Sequence, residues 1–329
     1  MPYRSTLFAL VLFAIALPLH AADDQPTKPW HELADGDRVV FIGGTFIERE
    51  GNYGWLEALL TVANAPKKVT FRNLGWSGDT VWGESRAYFG KPPEGYKNLL
   101  ALVTELKPTV IYLNYGNNEA HAGEAGLVDF TKQYNKLLDD LTKIGNPRII
   151  VIEPLPYETG FSGFDPAEYN QKLEQYAKVI KQTAEGRKME SVNLNAPTRT
   201  DSSDGFYAPA KALVTFNGQH SDDTGYRTLF GGLIPRVMKQ KKDDATVQSI
   251  SVTQSFIDSL RERILAKNEL FFHRWRPANT TYLTGFRKHE QGQNAKEIAQ
   301  FDPLVAAKEE EIWKLLSAKS DPAKPTPTK

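Results

Sequence analysis

The sequence contains no cysteine. This absence excludes a disulfide framework, a thiolate metal site, catalysis by a thiol and lipid attachment through a cysteine. It does not exclude an oxidising compartment, because a chain of 329 residues can bury a sizeable core without covalent cross-links.

The chain also carries no excess of either charge. Its 40 lysines and arginines balance its 40 aspartates and glutamates, and the basic clusters are short. Proteins that bind nucleic acids usually present a basic surface to the phosphates, so we expect no nucleic-acid partner. Because His31, His121 and His273 lack metal-ligand spacing with one another or with carboxylates, we predict no metal and no other cofactor.

A long apolar run occurs only at the N-terminus. Residues 7–19 read LFALVLFAIALPL, follow the positive charge of Arg4 and precede the small residues of HAAD. This pattern is typical of a signal peptide, whereas a membrane span needs about 20 apolar residues. We predict a signal peptide at 1–21, export to the periplasm or the medium, and no stable membrane insertion after cleavage.

The rest of the sequence alternates short β-rich runs with longer segments of helical spacing. The β-rich runs are almost continuously apolar, as in RVVFIG and RIIVIEPL. Such strands are buried on both faces, and their alternation with amphipathic helices favours a parallel sheet covered on each side. The sequence therefore predicts an α/β fold, a three-layer α/β/α sandwich. The predicted strands are 38–43, 68–75, 109–116, 148–155 and 191–196.

This pattern divides the chain into regions. We predict a polar leader at 22–35, the α/β domain at 36–240, a C-terminal helical and aromatic extension at 241–318 and a disordered tail at 319–329. A helix over 252–275 is expected to dock on the main domain. The arginines and aromatic residues that follow either fix that helix by burial and cation–π contacts, which we favour, or form an arm that contacts substrate.

Polar and glycine-rich stretches follow the predicted strands. Ligands of parallel sheets bind beyond the carboxyl ends of the strands, so these stretches are expected to meet in one crevice. They are Gly43-Gly44-Thr45 after the first strand, NLGWSGDT (73–80) after the second, YGNNEA (115–120) after the third and FNGQHSDDTGYR (216–227) before a later helix.

In this order, the four stretches resemble the sequence blocks of the SGNH hydrolases, also called GDSL-type esterases. The resemblance covers about residues 36 to 240 and implies the flavodoxin-like SGNH fold. It places Thr45 at the nucleophile, His220 at the base, and Asn217 at the acid position that orients the imidazole. It also assigns the oxyanion donors to the backbone N–H groups of Thr45 and Gly78 and to the side-chain amide of Asn118.

Two positions depart from the family pattern in ways that affect the chemistry. Thr45 replaces the usual serine, and its added methyl group crowds a nucleophile that must rotate toward the substrate. Asn217 replaces the usual carboxylate and cannot offset the charge of an imidazolium. The corresponding Asp→Asn change in a serine protease lowers kcat by about 10⁴. A third replacement, Gly44 for aspartate, concerns a position with a supporting role.

Other polar side chains lie near these motifs. Asp222 and Asp223 are placed where either could turn toward the imidazole, although we favour a role in capping the next helix. Ser77 is interpreted as structural. Glu48 and Glu50 are expected to be solvated or to lie at the start of a helix.

Two functions are consistent with these residues. The first is an exported hydrolase of carboxylic esters, with acetyl or other acyl groups on carbohydrates as substrates. The second is a catalytically impaired protein of the same fold that binds a glycan or another ligand, which the Thr45 and Asn217 replacements support. A third and weaker alternative is a different doubly wound fold with a flavodoxin-like ligand loop, although no glycine-rich phosphate motif is present. The sequence does not identify the acyl group, the alcohol or the oligomeric state.

Overall fold

The computed structural model describes residues 28–161, 163, 165–194, 213–242 and 252–320. The predicted signal peptide and residues 321–329 of the predicted tail lie outside this part. At the centre of the fold, five parallel strands form one sheet in the order β2-β1-β3-β4-β5. The predicted α/β fold with a parallel sheet is therefore confirmed. The strands are β1 (Arg38–Gly43), β2 (Thr70–Asn73), β3 (Val110–Asn114), β4 (Arg148–Ile152) and β5 (Glu190–Val192).

Helices cover both faces of the sheet. Successive residues of β1 point to opposite sides: Val39 and Phe41 join one buried cluster, whereas Val40 and Ile42 join the other. Strands buried on both sides are apolar at nearly every position, which explains the continuous hydrophobic runs in the sequence. The helices are α1 (Thr45–Tyr53), α2 (Trp55–Asn64), α3 (Pro92–Leu106), α4 (Gly123–Lys143), α5 (Ala167–Gly186), α6 (Asp223–Leu229), α7 (Ile234–Lys242), α8 (Gln254–Trp275), α9 (Thr280–Leu283), α10 (Lys288–Gln291) and α11 (Phe301–Ser320).

The two helical layers differ in their origin along the chain. One face is covered by α3, α4 and α5, which connect β2 to β3, β3 to β4 and β4 to β5 respectively. The other face is covered by α1, α2, α6 and α7 together with most of α8 and α11 from the C-terminal extension. Within the described part of the chain, no helix is both long and apolar enough to span a membrane.

Helix α1 was not predicted from the sequence. It begins at Thr45 directly after the strand, and Gly54, with φ of 67°, ends it in the left-handed conformation before α2 starts. The expectation that Glu50 is solvated or lies at a helix start is wrong. Glu50 is only 1% exposed and accepts the N–H of Leu56 at 2.6 Å, so that it binds the first turn of α2. Burial raises the pKa of Glu50 well above its usual value.

The C-terminal extension is packed into the main domain through α8. Trp275 is buried and packs edge-on against Trp76, and the Arg276 guanidinium lies 3.7 Å from the centre of the Trp76 ring. Arg274 forms ion pairs with Glu105 and Asp302. These contacts support the interpretation that the arginines and aromatic residues hold the helix in place.

Candidate active site

The ends of β1 and β3 lie side by side. They bring together the stretch Gly43-Gly44-Thr45, here called the first motif, and YGNNEA (115–120), the third motif. Gly43 at the end of β1 pairs with Asn114 at the end of β3. A Cβ atom at Gly43 would collide with the carbonyl oxygen of Asn114, so that only glycine allows this approach. Gly44 and Thr45 then enter the cleft together with Asn118.

Thr45 lies at the first turn of α1, where backbone N–H groups have no partner within the helix. The N–H of Gly78 donates to Thr45 Oγ1 at 3.2 Å. Gly78 has φ of 74°, a conformation that favours glycine and directs its N–H toward the threonine. The predicted nucleophile and the predicted backbone donor are thus in contact.

The side chain of Asn118 is held in place by the loop that contains Gly78. Asn118 Nδ2 donates to the carbonyl oxygen of Asp79 at 2.7 Å, which leaves the second hydrogen of this amide for a ligand oxygen. Asp79 is itself buried, and its carboxylate accepts from Arg86 at 2.6 Å and Tyr115 at 2.9 Å. The donor is therefore supported by a buried polar network.

Glu119 connects the second motif, NLGWSGDT (73–80), with the third. One oxygen of its carboxyl group accepts the N–H of Val81 and the other accepts the N–H of Gly116, both at 2.8 Å. Burial raises the pKa of Glu119 to about 7. This residue fixes the spacing between the loops that carry Gly78 and Asn118.

The loop carrying His220 is anchored by Glu158. The Glu158 carboxylate accepts the N–H of Val214 at 2.9 Å and that of Thr215 at 2.8 Å, and Glu158 N–H donates to the carbonyl oxygen of Gly218. These contacts place His220 in the same cleft as Thr45 and Asn118. In the described part of the structure, no direct hydrogen bond joins Thr45 Oγ1 to the imidazole.

Asn217 contacts the imidazole through its nitrogen. Its Oδ1 accepts the backbone N–H groups of Gln219 at 3.1 Å and His220 at 2.8 Å, and its Nδ2 lies 3.1 Å from His220 Nδ1. A flipped amide would direct its NH₂ group at two N–H donors, so the observed orientation is the favourable one. Asn217 therefore donates to Nδ1, and the neutral imidazole carries its proton on Nε2.

The family of this chain follows from its sequence match together with this geometry. Residues 34–228, more than half of the chain, match the GDSL-like lipase/acylhydrolase family. The protein belongs to this family. The SGNH resemblance is thereby confirmed.

Solved structures similar to this protein include two acetylxylan esterases. Axe2 from Geobacillus stearothermophilus is 18% identical over 62% of this chain and 95% of its own, with a TM-score of 0.46. The acetyl xylan esterase AlAXEase is 18% identical over 61% of this chain and 99% of its own, with a TM-score of 0.44. Among curated protein sequences, none matches this chain.

The two aspartates of this GDSL-like protein that follow His220 are engaged elsewhere. Asp222 caps α6 and accepts the N–H of Gly225 at 3.0 Å, as predicted. Asp223 accepts from the indole of Trp55 at 3.0 Å and forms an ion pair with Arg261 instead of capping the helix. Neither carboxylate replaces the missing aspartate at position 217.

Arg49 is a residue of the site that was not predicted from the sequence. Arg49 lines the cleft with Thr45 and His220. It follows Thr45 by four positions on α1, and residues at this spacing occupy the same face of a helix. That spacing would have identified it, had a helix been predicted from Thr45.

The second motif is held by the C-terminal extension. The N–H of Ser77 donates to Glu48, and Arg276 donates to the same carboxylate oxygen at 3.2 Å. Glu48 lies in the first turn of α1, as expected for a helix-start acid. Ser77 contributes its backbone to this arrangement, in agreement with a structural role. Among the residues described, no group of three or more His, Cys, Asp or Glu side chains is arranged to hold a metal ion.

His220 is expected to remain neutral at pH values that protonate an ordinary histidine. Burial, and then the positive charge of Arg49, lower the pKa of His220 from the usual 6.5. If His220 is the general base, it accepts a proton only while its imidazole is neutral, so kcat/KM for an aryl acetate should fall on the acid side with a midpoint below pH 6.5. A pH profile at constant ionic strength measures this midpoint, and a value at or above 6.5 would contradict the assignment.

Proposed function

We propose that this protein is an exported hydrolase that removes acetyl or other short acyl groups from carbohydrates, with Thr45 as the nucleophile. The observation that carries the proposal is the meeting of Thr45, Asn118 and His220 in one cleft, with the Gly78 N–H on the threonine hydroxyl. Membership of the GDSL-like lipase/acylhydrolase family supports ester hydrolysis. The signal-peptide pattern at 1–21 supports export, which the mass of the secreted or periplasmic form would test.

The first half of the reaction forms an acyl-enzyme. Thr45 Oγ1 attacks the ester carbonyl while His220 Nε2 accepts the hydroxyl proton. The oxyanion accepts hydrogen bonds from the Gly78 N–H, the free Asn118 amide hydrogen and the Thr45 N–H. His220 then gives its proton to the departing alkoxide, and the sugar leaves as the free alcohol.

The second half regenerates the enzyme. Water attacks the threonine ester while His220 again accepts a proton, and the same donors stabilise the second oxyanion. Collapse releases the carboxylic acid and returns the proton to Thr45. In both halves His220 must expose the Nε2 lone pair, which the contact between Asn217 Nδ2 and His220 Nδ1 disfavours.

The tautomer of His220 that carries its proton on Nε2 favours a second candidate function, binding without turnover. With its proton on Nε2, His220 presents a donor to the cleft, as do the Asn118 amide and the Gly78 N–H. A cleft rich in donors suits the oxygens of an acylated glycan even when no base is available.

The decisive experiment measures hydrolysis of an aryl acetate and an acetylated xylo-oligosaccharide by the mature protein. We expect turnover that Thr45→Ala lowers by at least about 10³-fold, because this variant has no nucleophile. Thr104→Ala, which removes an exposed hydroxyl on α3, should leave the rate unchanged. Undiminished turnover in Thr45→Ala would exclude the proposed nucleophile. A folded wild-type protein that binds the oligosaccharide without cleaving it would establish the second candidate.

A further inference from the structure

Arg49 is held rigidly at the wall of the catalytic cleft. Its Nε donates to the carbonyl oxygen of Ser221 at 2.9 Å, and its Nη2 donates to the hydroxyl of Tyr53 at 3.2 Å. The guanidinium lies 5.2 Å from the centre of the Phe216 ring. These contacts fix the plane of the guanidinium and leave Nη1 and the second Nη2 hydrogen without a partner among the described residues.

Within the part of the chain that the structure describes, no carboxylate neutralises the charge of Arg49. No Asp or Glu of the described residues forms an ion pair with Arg49. Of the described residues that line the cleft, two are acidic and both are occupied: Asp79 is paired with the buried Arg86, and Glu119 accepts two backbone N–H groups. An arginine ordered beside a reacting group, with unused donors and no counter-charge, is arranged to receive an anion.

We propose that Arg49 binds a carboxylate of the substrate, so that this site acts on esters that carry a carboxylate near the ester group. The inference rests on the proposed function and specifies its substrate class. The guanidinium is planar and matches two carboxylate oxygens, which gives both affinity and orientation. Because Arg49 and Thr45 share one face of α1, a substrate held by Arg49 has its ester group near Thr45.

A bound carboxylate also assists the proton transfer. His220 becomes positively charged in each half of the reaction, and the neighbouring Arg49 opposes this charge. An anion on the guanidinium offsets that repulsion. A charged substrate should therefore have a higher kcat as well as a lower KM than its neutral counterpart. A contact that only adds affinity would lower KM alone.

The test compares matched charged and neutral esters. Acetylated methyl glucuronoside and acetylated methyl glucoside differ by a carboxylate on the alcohol side, while monomethyl and dimethyl succinate differ by one on the acyl side. We expect the wild type to prefer the charged member of one pair by about tenfold or more in kcat/KM, which identifies the side that carries the carboxylate. Arg49→Gln should abolish the preference and Arg49→Lys should retain part of it.

Arg227→Gln provides the control for net charge, because Arg227 is exposed on α6 and does not line the cleft. It should keep the full preference. Equal rates for charged and neutral esters in the wild type, a preference that survives Arg49→Gln, or one that Arg227→Gln also removes would overturn the proposal.

A binding measurement separates this inference from the proposed function. Calorimetry with the Thr45→Ala protein should show tighter binding of methyl glucuronoside than of methyl glucoside, or of succinate monoester than of diester, with the difference lost when Arg49→Gln is added. Turnover without any charge preference would support the proposed hydrolase function and refute the anion site at Arg49. Binding that depends on Arg49, without any turnover, would support the anion site and refute the proposed hydrolase function.

Discussion

The Asn217→Asp variant is expected to hydrolyse an aryl acetate about 10²–10⁴ times faster than the wild type, because the reverse change in a serine protease costs about 10⁴ in kcat. In the wild type, Asn217 Oδ1 is occupied by two backbone N–H groups, so that only an N–H donor faces His220 Nδ1. An aspartate would keep both backbone contacts with one oxygen and accept the Nδ1 proton with the other. The lone pair of Nε2 would then face the cleft, and the carboxylate would stabilise the imidazolium.

Two further measurements test whether the gain in rate comes from the protonation of His220. The added negative charge should raise the pKa of His220, so the midpoint of the acid limb should move to higher pH than in the wild type. Nitrogen chemical shifts of the His220 ring should show the proton on Nε2 in the wild type and on Nδ1 in the variant. Asp223→Asn, which removes a carboxylate that is bound to Trp55 and Arg261, should leave the tautomer unchanged. A wild-type ring that already carries its proton on Nδ1 would refute the explanation.

The sheet and the crevice could be predicted because their signals are local. The runs RVVFIG and RIIVIEPL are apolar at almost every position, as strands buried on both faces must be. The carboxyl ends of parallel strands lie on one edge, so that the motifs after β1, β2 and β3 had to converge. Within that crevice, the resemblance to the SGNH sequence blocks singled out Thr45, Gly78 and Asn118.

Helix α1 and the contribution of Arg49 were missed for one shared reason. No helix was predicted to begin at Thr45, because Gly51 and Asn52 within TFIEREGNY oppose a helix by local propensity. Tertiary contacts override that propensity: Ile47 is fully buried and the Glu50 carboxylate joins α1 to α2. Without the helix, the four-residue spacing between Thr45 and Arg49 carried no meaning.

The orientation of the Asn217 amide could not be predicted from residue types. Asparagine in place of aspartate at 217 predicts only the loss of a charge. Which end of the amide faces the imidazole depends on where the N–H groups of Gln219 and His220 point, and that is a property of the loop backbone. The loop conformation thus converts the loss of a charge into a preference for one tautomer.

Lys267→Met is expected to lower the free energy of unfolding by about 3–5 kcal/mol, because it leaves a buried carboxylate without its partner. Lys267 on α8 is fully buried, and its ammonium group donates to Glu57 on α2 at 2.6 Å and to the carbonyl oxygen of Phe71 at 3.1 Å. Burial lowers the pKa of Lys267 and raises that of Glu57, and the contact between them opposes both shifts. Denaturant unfolding measures the loss, with the exposed Lys314→Met as a control that should stay within about 0.5 kcal/mol of the wild type.

The double variant Glu57→Leu with Lys267→Met separates the charge from the packing. If the unpaired carboxylate causes the loss, removing it should restore most of the stability, since apolar residues of similar volume often replace a buried pair without cost. A double variant as unstable as Lys267→Met would instead assign the loss to packing, and a stable single variant would show that the pair contributes nothing.

A loss of stability caused by the unpaired carboxylate would have a consequence for the candidate site. Helix α8 ends at Trp275, which packs on Trp76, two residues before Gly78. The buried pair would then fix the helix that holds the loop of Gly78 in position.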